Sequence, residues 1–276
     1  MSAGTVAVVV PAHDEEALLP AALAAIGRAA RHPALAATRV LTVVVTDDCR
    51  DRTPAVARDA GALVVDAAFR NPGRARAAGV RHALARADAA APVTWIATTD
   101  ADSVVPHDWL AHQLAEAREG WQAVVGTVVL PSTSPLATPH RVRYEATRPP
   151  TGTPWAHPHV HGANLGVATA AYLDVGGFPA LATGEDHALV EALERRGHRV
   201  LRTARCPVLT SPRLQARAHG GFGDYLAAMP RPAEAGGGGG GGGGAPPPPG
   251  GGGGTRVGPP AVPPGAPGRE VECPPG

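Results

Sequence analysis

Two aspartates, Asp100 and Asp102, stand two residues apart directly behind the apolar run Trp95-Ile96-Ala97-Thr98. Residues i and i+2 of an extended segment project to one side, so both carboxylates can address one site. Hard oxygen ligands of this kind suit Mg2+ or Mn2+, which keep room for phosphate oxygens. Acids follow two other apolar runs as well: Asp14, Glu15 and Glu16 behind Thr5 to Val10, and Asp47 and Asp48 behind Val40 to Val45. Taken singly, each cluster also reads as a set of helix-capping acids. Three clusters on one edge repel one another unless a divalent cation, or the donors of a bound ligand, lie between them. Farther along, Gly184-Glu185-Asp186 opens a helical pattern carrying Leu189 and Leu193 and closed by Gly197. His157, His159 and His161 alternate behind Trp155, which predicts one strand face and either a metal site or a polar loop.

The elements that must position these groups are legible. Thr5 to Val10, Val40 to Val45, Ala62 to Val65 and Val93 to Thr98 read as buried strands. Between them lies a helix with Leu19, Leu23 and Ile26 on one face and Pro20 in its first turn. A second, short helix opens on Thr53 as N-cap with Pro54 and closes at Gly61. The third, Arg74 to Ala87, is rich in arginine, so Arg74 and Arg76 each read as part of a solvated face or as a contact to an anion. Alternation of this kind argues for a doubly wound α/β sheet, in which ligands sit beyond the carboxyl ends of the strands.

Composition narrows the chemistry. Of 276 residues, 25 are basic and 24 acidic, and a net charge of +1 argues against a dedicated nucleic-acid binder. Every basic residue is Arg, which excludes a lysine nucleophile, a Schiff base or a P-loop lysine. Cys49, Cys206 and Cys273 are too few and too dispersed for a disulfide framework, so a reducing cytosol is expected. No apolar run reaches the ~20 residues of a membrane span. A soluble, cytoplasmic protein is therefore expected, with peripheral membrane association left open. From Ala235 to Gly276, 29 of 42 residues are Gly or Pro. So few apolar side chains cannot offset the entropy of ordering, which predicts a disordered tail at 231–276 behind one folded domain at 1–230.

The ordered motifs VVVPAHDEE, VVVTDDCRDRT, WIATTDADSVVPHDWL, HGANLGVATAAYLDVGGF and GEDHALVEALERRGHRV together resemble the family 2 glycosyltransferases of the GT-A fold. The resemblance spans about residues 5–201 and weakens toward 226. It implies a Rossmann-like α/β domain with a mixed, mainly parallel sheet flanked by helices. It also implies transfer of a sugar from a nucleotide-diphosphate sugar to an acceptor hydroxyl with a divalent cation, Mn2+ or Mg2+. Transfer is expected to be inverting and non-processive, since the chain has Gln215-Ala216-Arg217 where processive relatives carry a Gln-x-x-Arg-Trp motif. The acceptor is expected to be a small or lipid-linked molecule.

By the same resemblance, Pro11, Ala12, His13, Asp14 and Glu15 hold the nucleobase and ribose, His13 by stacking. Asp48 accepts a hydrogen bond from the base, with Asp47 the lesser candidate. Arg76 faces the donor, Asp102 is the main metal ligand, and Asp100 with Ala101 contacts metal or ribose. Asp186 is the implied catalytic base and Glu185 its support or alternate. Gly162, Asn164 and Gly184 line the acceptor pocket, and His219 is a candidate third metal ligand. The family loop after the second strand is rich in Gly and Ser, whereas this chain has Cys49-Arg50. Two further readings stay open: a sugar-phosphate nucleotidyltransferase, and an inactive nucleotide-binding scaffold.

Overall fold

The computed structural model describes residues 4–151, 153, 155–214 and 221–229. The Gly/Pro-rich tail, Gln215, Arg217 and His219 lie outside the described residues.

Strand β1 (Thr5–Ala12) is a run of β-branched residues buried along almost its whole length. Its alternate side chains go to opposite faces. Val6, Val8 and Val10 join one core, and Ala7 and Val9 join another. Burying each valine contributes about 1.5–3 kcal/mol, so β1 anchors both layers of the domain. On the first face lies α1 (Leu19–Ala30), with Leu19, Leu23 and Ile26 inward as their spacing predicts and Pro in its first turn. On the second lies α3 (Pro72–Arg86). Its Gly79 touches the sheet directly: a Cβ there would lie 2.5 Å from Val9 Cγ1 and 3.0 Å from Val45 Cγ2.

The order along the eight-stranded sheet is β3-β2-β1-β4-β7-β6-β8-β5. The first four strands, β1, β2 (Arg39–Asp47), β3 (Leu63–Ala67) and β4 (Val93–Thr98), pair in parallel as the strand–helix alternation predicts. The chain runs outward from β1 through β2 to β3 and then returns to place β4 on the other side of β1. That reversal opens a crevice at the carboxyl ends of β1 and β4. The mixed part follows. β5 (Ser103–Val104), β6 (Ala123–Val129), β7 (Leu165–Ala168) and β8 (Val200–Thr210) complete the sheet, with β7 antiparallel to both β4 and β6.

Two local expectations are corrected. Helix α2 spans Thr53–Asp59 with Arg52 in the cap position, so Thr53 is not the N-cap. Its hydroxyl instead accepts the Glu15 N–H at 2.7 Å, tying the loop after β1 to the start of α2. Helix α3 starts at Pro72, because the Asn71 side chain caps it by accepting the Arg74 N–H at 2.8 Å. In β8, Pro207 has no N–H to give, and the pairing with β6 shifts register between Gly126 and Val128.

Candidate active site

The loops after β1, β3 and β4, with the end of β2, open on one cleft of about 620 Å³. That volume falls within the roughly 300–1,000 Å³ of small-molecule and cofactor sites. Pro11, Ala12, His13 and Glu15 line it from the end of β1, and Asp100, Ala101 and Asp102 from the end of β4. Arg76 reaches it from α3. Gly184, Glu185 and Asp186 reach it from the start of α7 (Glu185–Arg195), and Gly162 from the 3-10 turn Gly162–Asn164. Of the sequence-predicted acids, Glu15, Asp47, Asp100, Asp102, Glu185 and Asp186 line this cleft.

Its carboxylates are threaded on two arginines. Arg76 is 4% exposed, so the solvated-face reading of this residue is corrected. Its Nη2 donates to Asp100 Oδ1 at 2.5 Å and its Nη1 donates to Glu185 Oε1. Burial opposes the guanidinium's charge, but Asp100, Glu185 and Asp186 outweigh it and raise its pKa. Arg74 stays on the surface, its guanidinium 4.5 Å above the Phe69 ring. The second arginine, Arg213, donates from both terminal nitrogens to Glu15 and lies 3.1 Å from Asp102 Oδ2. Nothing in the local sequence signals Arg213, which stands 198 positions from Glu15.

The two acids of the Asp100-Ala101-Asp102 motif occupy a turn and not an extended segment, with the Ser103 N–H returning to the Asp100 carbonyl at 3.2 Å. Asp100 consequently meets Arg76, and Asp102 meets Arg213. Burial, reinforced by the Asp100 charge, pushes the Asp102 carboxyl up to about 6 despite Arg213. Burial likewise raises Glu185, with Arg76 opposing. Six carboxylates (Glu15, Asp47, Asp100, Asp102, Glu185 and Asp186) and three guanidiniums (Arg70, Arg76 and Arg213) thus line the cleft. A hard divalent cation fits this donor set, and Asp102 with Asp100 are the residues that would hold it.

Other groups build the cleft without facing it. Asp14, in the left-handed region at φ 51°, turns its Oδ1 onto the Arg50 N–H at 2.7 Å and the Asp51 N–H at 3.3 Å. It therefore stitches two loops together and does not line the cleft. Asp48, at φ 55°, points to Arg70, whose hydrogen bond lowers its pKa, and it too is absent from the lining. Asp47 holds the wall in its place, accepting the N–H groups of Phe69 at 2.5 Å, Arg70 at 2.9 Å and Asn71 at 2.9 Å. Asp47, and not Asp48, therefore lines the cleft. His13 donates through Nδ1 to the Asp47 carbonyl at 2.6 Å, which sets the ring at the cleft's edge.

Asn164 is likewise structural. Its Nδ2 donates to the carbonyls of Thr127 at 2.9 Å and Cys206 at 2.8 Å, the groups freed by the register shift between β6 and β8. Its Oδ1 accepts the Trp109 indole N–H at 2.9 Å. It is 3% exposed, and it does not line the cleft. Asp186 does face the cleft, its Oδ2 accepting the Gly162 N–H at 2.7 Å. Gly184, at φ 75°, provides the left-handed turn that starts α7 beside it.

Asp14, Cys49 and Asp51 are close enough to share an ion. Their atoms already serve the loop: Cys49 Sγ accepts the Asp14 N–H at 3.4 Å, and Asp51 accepts the N–H groups of Glu16 at 3.0 Å and Thr53 at 2.9 Å. Burial also raises the Cys49 thiol, which keeps it protonated and a poor ligand for a hard cation. The alternating histidines lie outside any strand, and the two ring nitrogens of His157 lie 3.1 Å from the carbonyl oxygens of His159 and Thr203, one of which accepts its N–H. Among the described residues, no histidine belongs to a metal-spaced group.

No helix among the described residues is long and apolar enough to cross a membrane. A comparison with curated proteins gives no match. Among solved structures, the chain is similar to the mannosyltransferase PcManGT from Pyrobaculum calidifontis in complex with GDP-Man and Mn2+. Identity is 24%, with a TM-score of 0.57 over 74% of this chain and 56% of that one. It is also similar to S. aureus TarS 1-349 in complex with UDP-GlcNAc. There identity is 15%, with a TM-score of 0.56 over 79% of this chain and 61% of that one. The chain thus spans about three-fifths of the length of these relatives, and the likeness at such identities is one of fold. Residues 7–171 match the family described as Glycosyl transferase family 2, and on that match over more than half its length the chain belongs to glycosyl transferase family 2.

Proposed function

We propose that this protein transfers a single sugar from a nucleotide-diphosphate sugar to an acceptor hydroxyl, with inversion and one sugar per encounter. The observation that carries the reading is the meeting of the β1, β4 and α7 acids in one cleft, cross-linked by Arg76 and Arg213. The similar proteins crystallised with GDP-Man and Mn2+ and with UDP-GlcNAc support a nucleotide-sugar donor.

In this reading, Pro11, Ala12 and His13 receive the nucleobase beside the wall that Asp47 holds. Asp102 and Asp100 hold the divalent cation, Mn2+ or Mg2+, which when bound neutralises charge on the diphosphate leaving group. Asp186 takes the proton of the acceptor hydroxyl at its carboxylate, held in aim by the Gly162 N–H. The hydroxyl oxygen then attacks the anomeric carbon from the face opposite the departing diphosphate. Glu185, tied up by Arg76, positions that guanidinium against Asp100 and does not itself take the proton.

A thermal-shift panel of UDP, GDP, TDP and CDP, each with and without Mn2+, tests this. A ligand that binds only the native state must raise the melting temperature. One base should shift it strongly and only with Mn2+. A panel in which no nucleoside diphosphate shifts it, with or without the ion, would overturn the proposal.

A further inference from the structure

Beyond Asp186 the cleft is walled by rings that the chemistry above does not use. Tyr144, on α5 (Ala137–Glu145), stacks on His159 with centroids 3.8 Å apart and planes 5° from parallel. His161 lies nearly parallel to Tyr144 at 5.9 Å, with its Nε2 hydrogen-bonded to the Tyr144 hydroxyl. Phe222, on α8 (Phe222–Ala227), meets His161 edge-on at 5.6 Å and stacks on Tyr225 at 5.7 Å. All five rings line the cleft. His161 immediately precedes Gly162, whose N–H holds Asp186, so the wall abuts the carboxylate assigned as base.

The wall carries no charge near neutrality. Burial, with the neighbouring histidines and Arg202, holds His159 down to about 4. Burial and the same histidine cluster hold His161 down to about 3. Of two nearby guanidiniums, Arg202 binds Glu194, and Arg143 lies over the Tyr225 ring at 5.6 Å. A phosphate or carboxylate brought against His159 and His161 would lose its hydration beside uncharged rings. Rings present negative faces that attract polarised C–H bonds. Their edges, with neutral imidazole nitrogens and phenol groups, both give and accept hydrogen bonds to hydroxyls.

We propose that this wall is the acceptor subsite and that it takes an uncharged sugar, whose C–H face lies on the rings of His159 and Phe222, backed by the buried Tyr144, while one hydroxyl meets Asp186. The proposal rests on the glycosyl-transfer reading and names the class of its acceptor.

The test uses the full chain with Mn2+ and the nucleoside diphosphate that shifts its melting temperature. Saturation-transfer NMR is recorded with methyl α-D-glucopyranoside, methyl α-D-mannopyranoside, mannose 6-phosphate and farnesyl phosphate. At least one methyl glycoside should bind, and more tightly than either phosphate. Phe222→Ala and His159→Ala should each weaken it roughly three- to tenfold, whereas Tyr144→Phe, which keeps the ring, should change it less than about twofold. The nucleotide-induced shift should be unaltered in all three variants. If either phosphate binds better, if no glycoside binds, or if both alanine variants bind glycoside as the parent does, the subsite assignment fails while glycosyl transfer stands. If no nucleotide shifts the melting temperature, glycosyl transfer fails and the subsite with it.

Discussion

Arg76 holds Asp100 and Glu185 on one guanidinium, donating to Asp100 Oδ1 at 2.5 Å and to Glu185 Oε1. One buried cation thereby joins the end of β4 to the start of α7. Glycine spacing makes the arrangement tight: a Cβ on Gly162 would lie 2.4 Å from Arg76 Nη2.

Arg76→Met keeps much of the side-chain volume and removes the charge, leaving two acids without their shared partner. Breaking a buried pair from one side costs about 3–5 kcal/mol. Urea unfolding should show a loss of that order, and Arg76→Met with Glu185→Gln together should lose less than the sum of the single changes. Strict additivity would show that the two side chains are not coupled.

Asp102 carries the pH dependence. Its carboxyl is raised in the folded state to about 6 from 3.8, so the native form binds the extra proton between those values. Its ionisation therefore costs stability above about pH 6 and costs nothing below about pH 4. In chelator-treated protein, Asp102→Asn should be more stable than the parent at pH 7.5, by at most roughly 3 kcal/mol, and equal to it at pH 4. The same variant should lose the Mn2+-dependent part of the nucleotide thermal shift. A retained Mn2+ response would remove Asp102 from the metal site.

Asp186→Asn keeps the Gly162 hydrogen bond within reach but cannot take a proton. It should retain the nucleotide-induced thermal shift and lose transfer by about 10²–10⁴-fold, the usual contribution of a positioned base. Transfer at the parent rate would show that the proton goes elsewhere, with Glu185→Gln then the variant to measure.

Asn164→Ala leaves the Thr127 and Cys206 carbonyls and the Trp109 indole N–H without their partner. Each orphaned buried group costs about 1–3 kcal/mol. Chemical denaturation should register a loss of several kcal/mol in total, with the acceptor KM of the folded fraction unchanged. A raised KM at parent stability would restore Asn164 to the acceptor pocket.

Much of the site can be read along the chain because its signals are local. Acids directly behind β-branched runs sit at strand ends, and in an α/β sheet the strand ends share one edge, so Glu15, Asp100 and Asp102 are found without coordinates, while Glu185 and Asp186, which open a helix, come from the family resemblance. Asp14 and Asp48 show where that logic stops. Each carries the right side chain at the right strand end, but a left-handed backbone at that residue turns it onto a loop partner.

Periodicity and motif order thus determined the parallel half of the sheet, the family and the acids, because these depend on neighbours a few residues apart. Tertiary structure alone decided that Arg76, one of many arginines on a helix, is buried, and that Arg213 reaches Glu15 and Asp102. It alone turned Asn164 to the β6–β8 register shift and stacked Tyr144 on His159. Each of these depends on a pairing across distant segments, where the charge, volume and hydrogen-bonding needs of one side chain are met by atoms whose proximity only the folded chain creates.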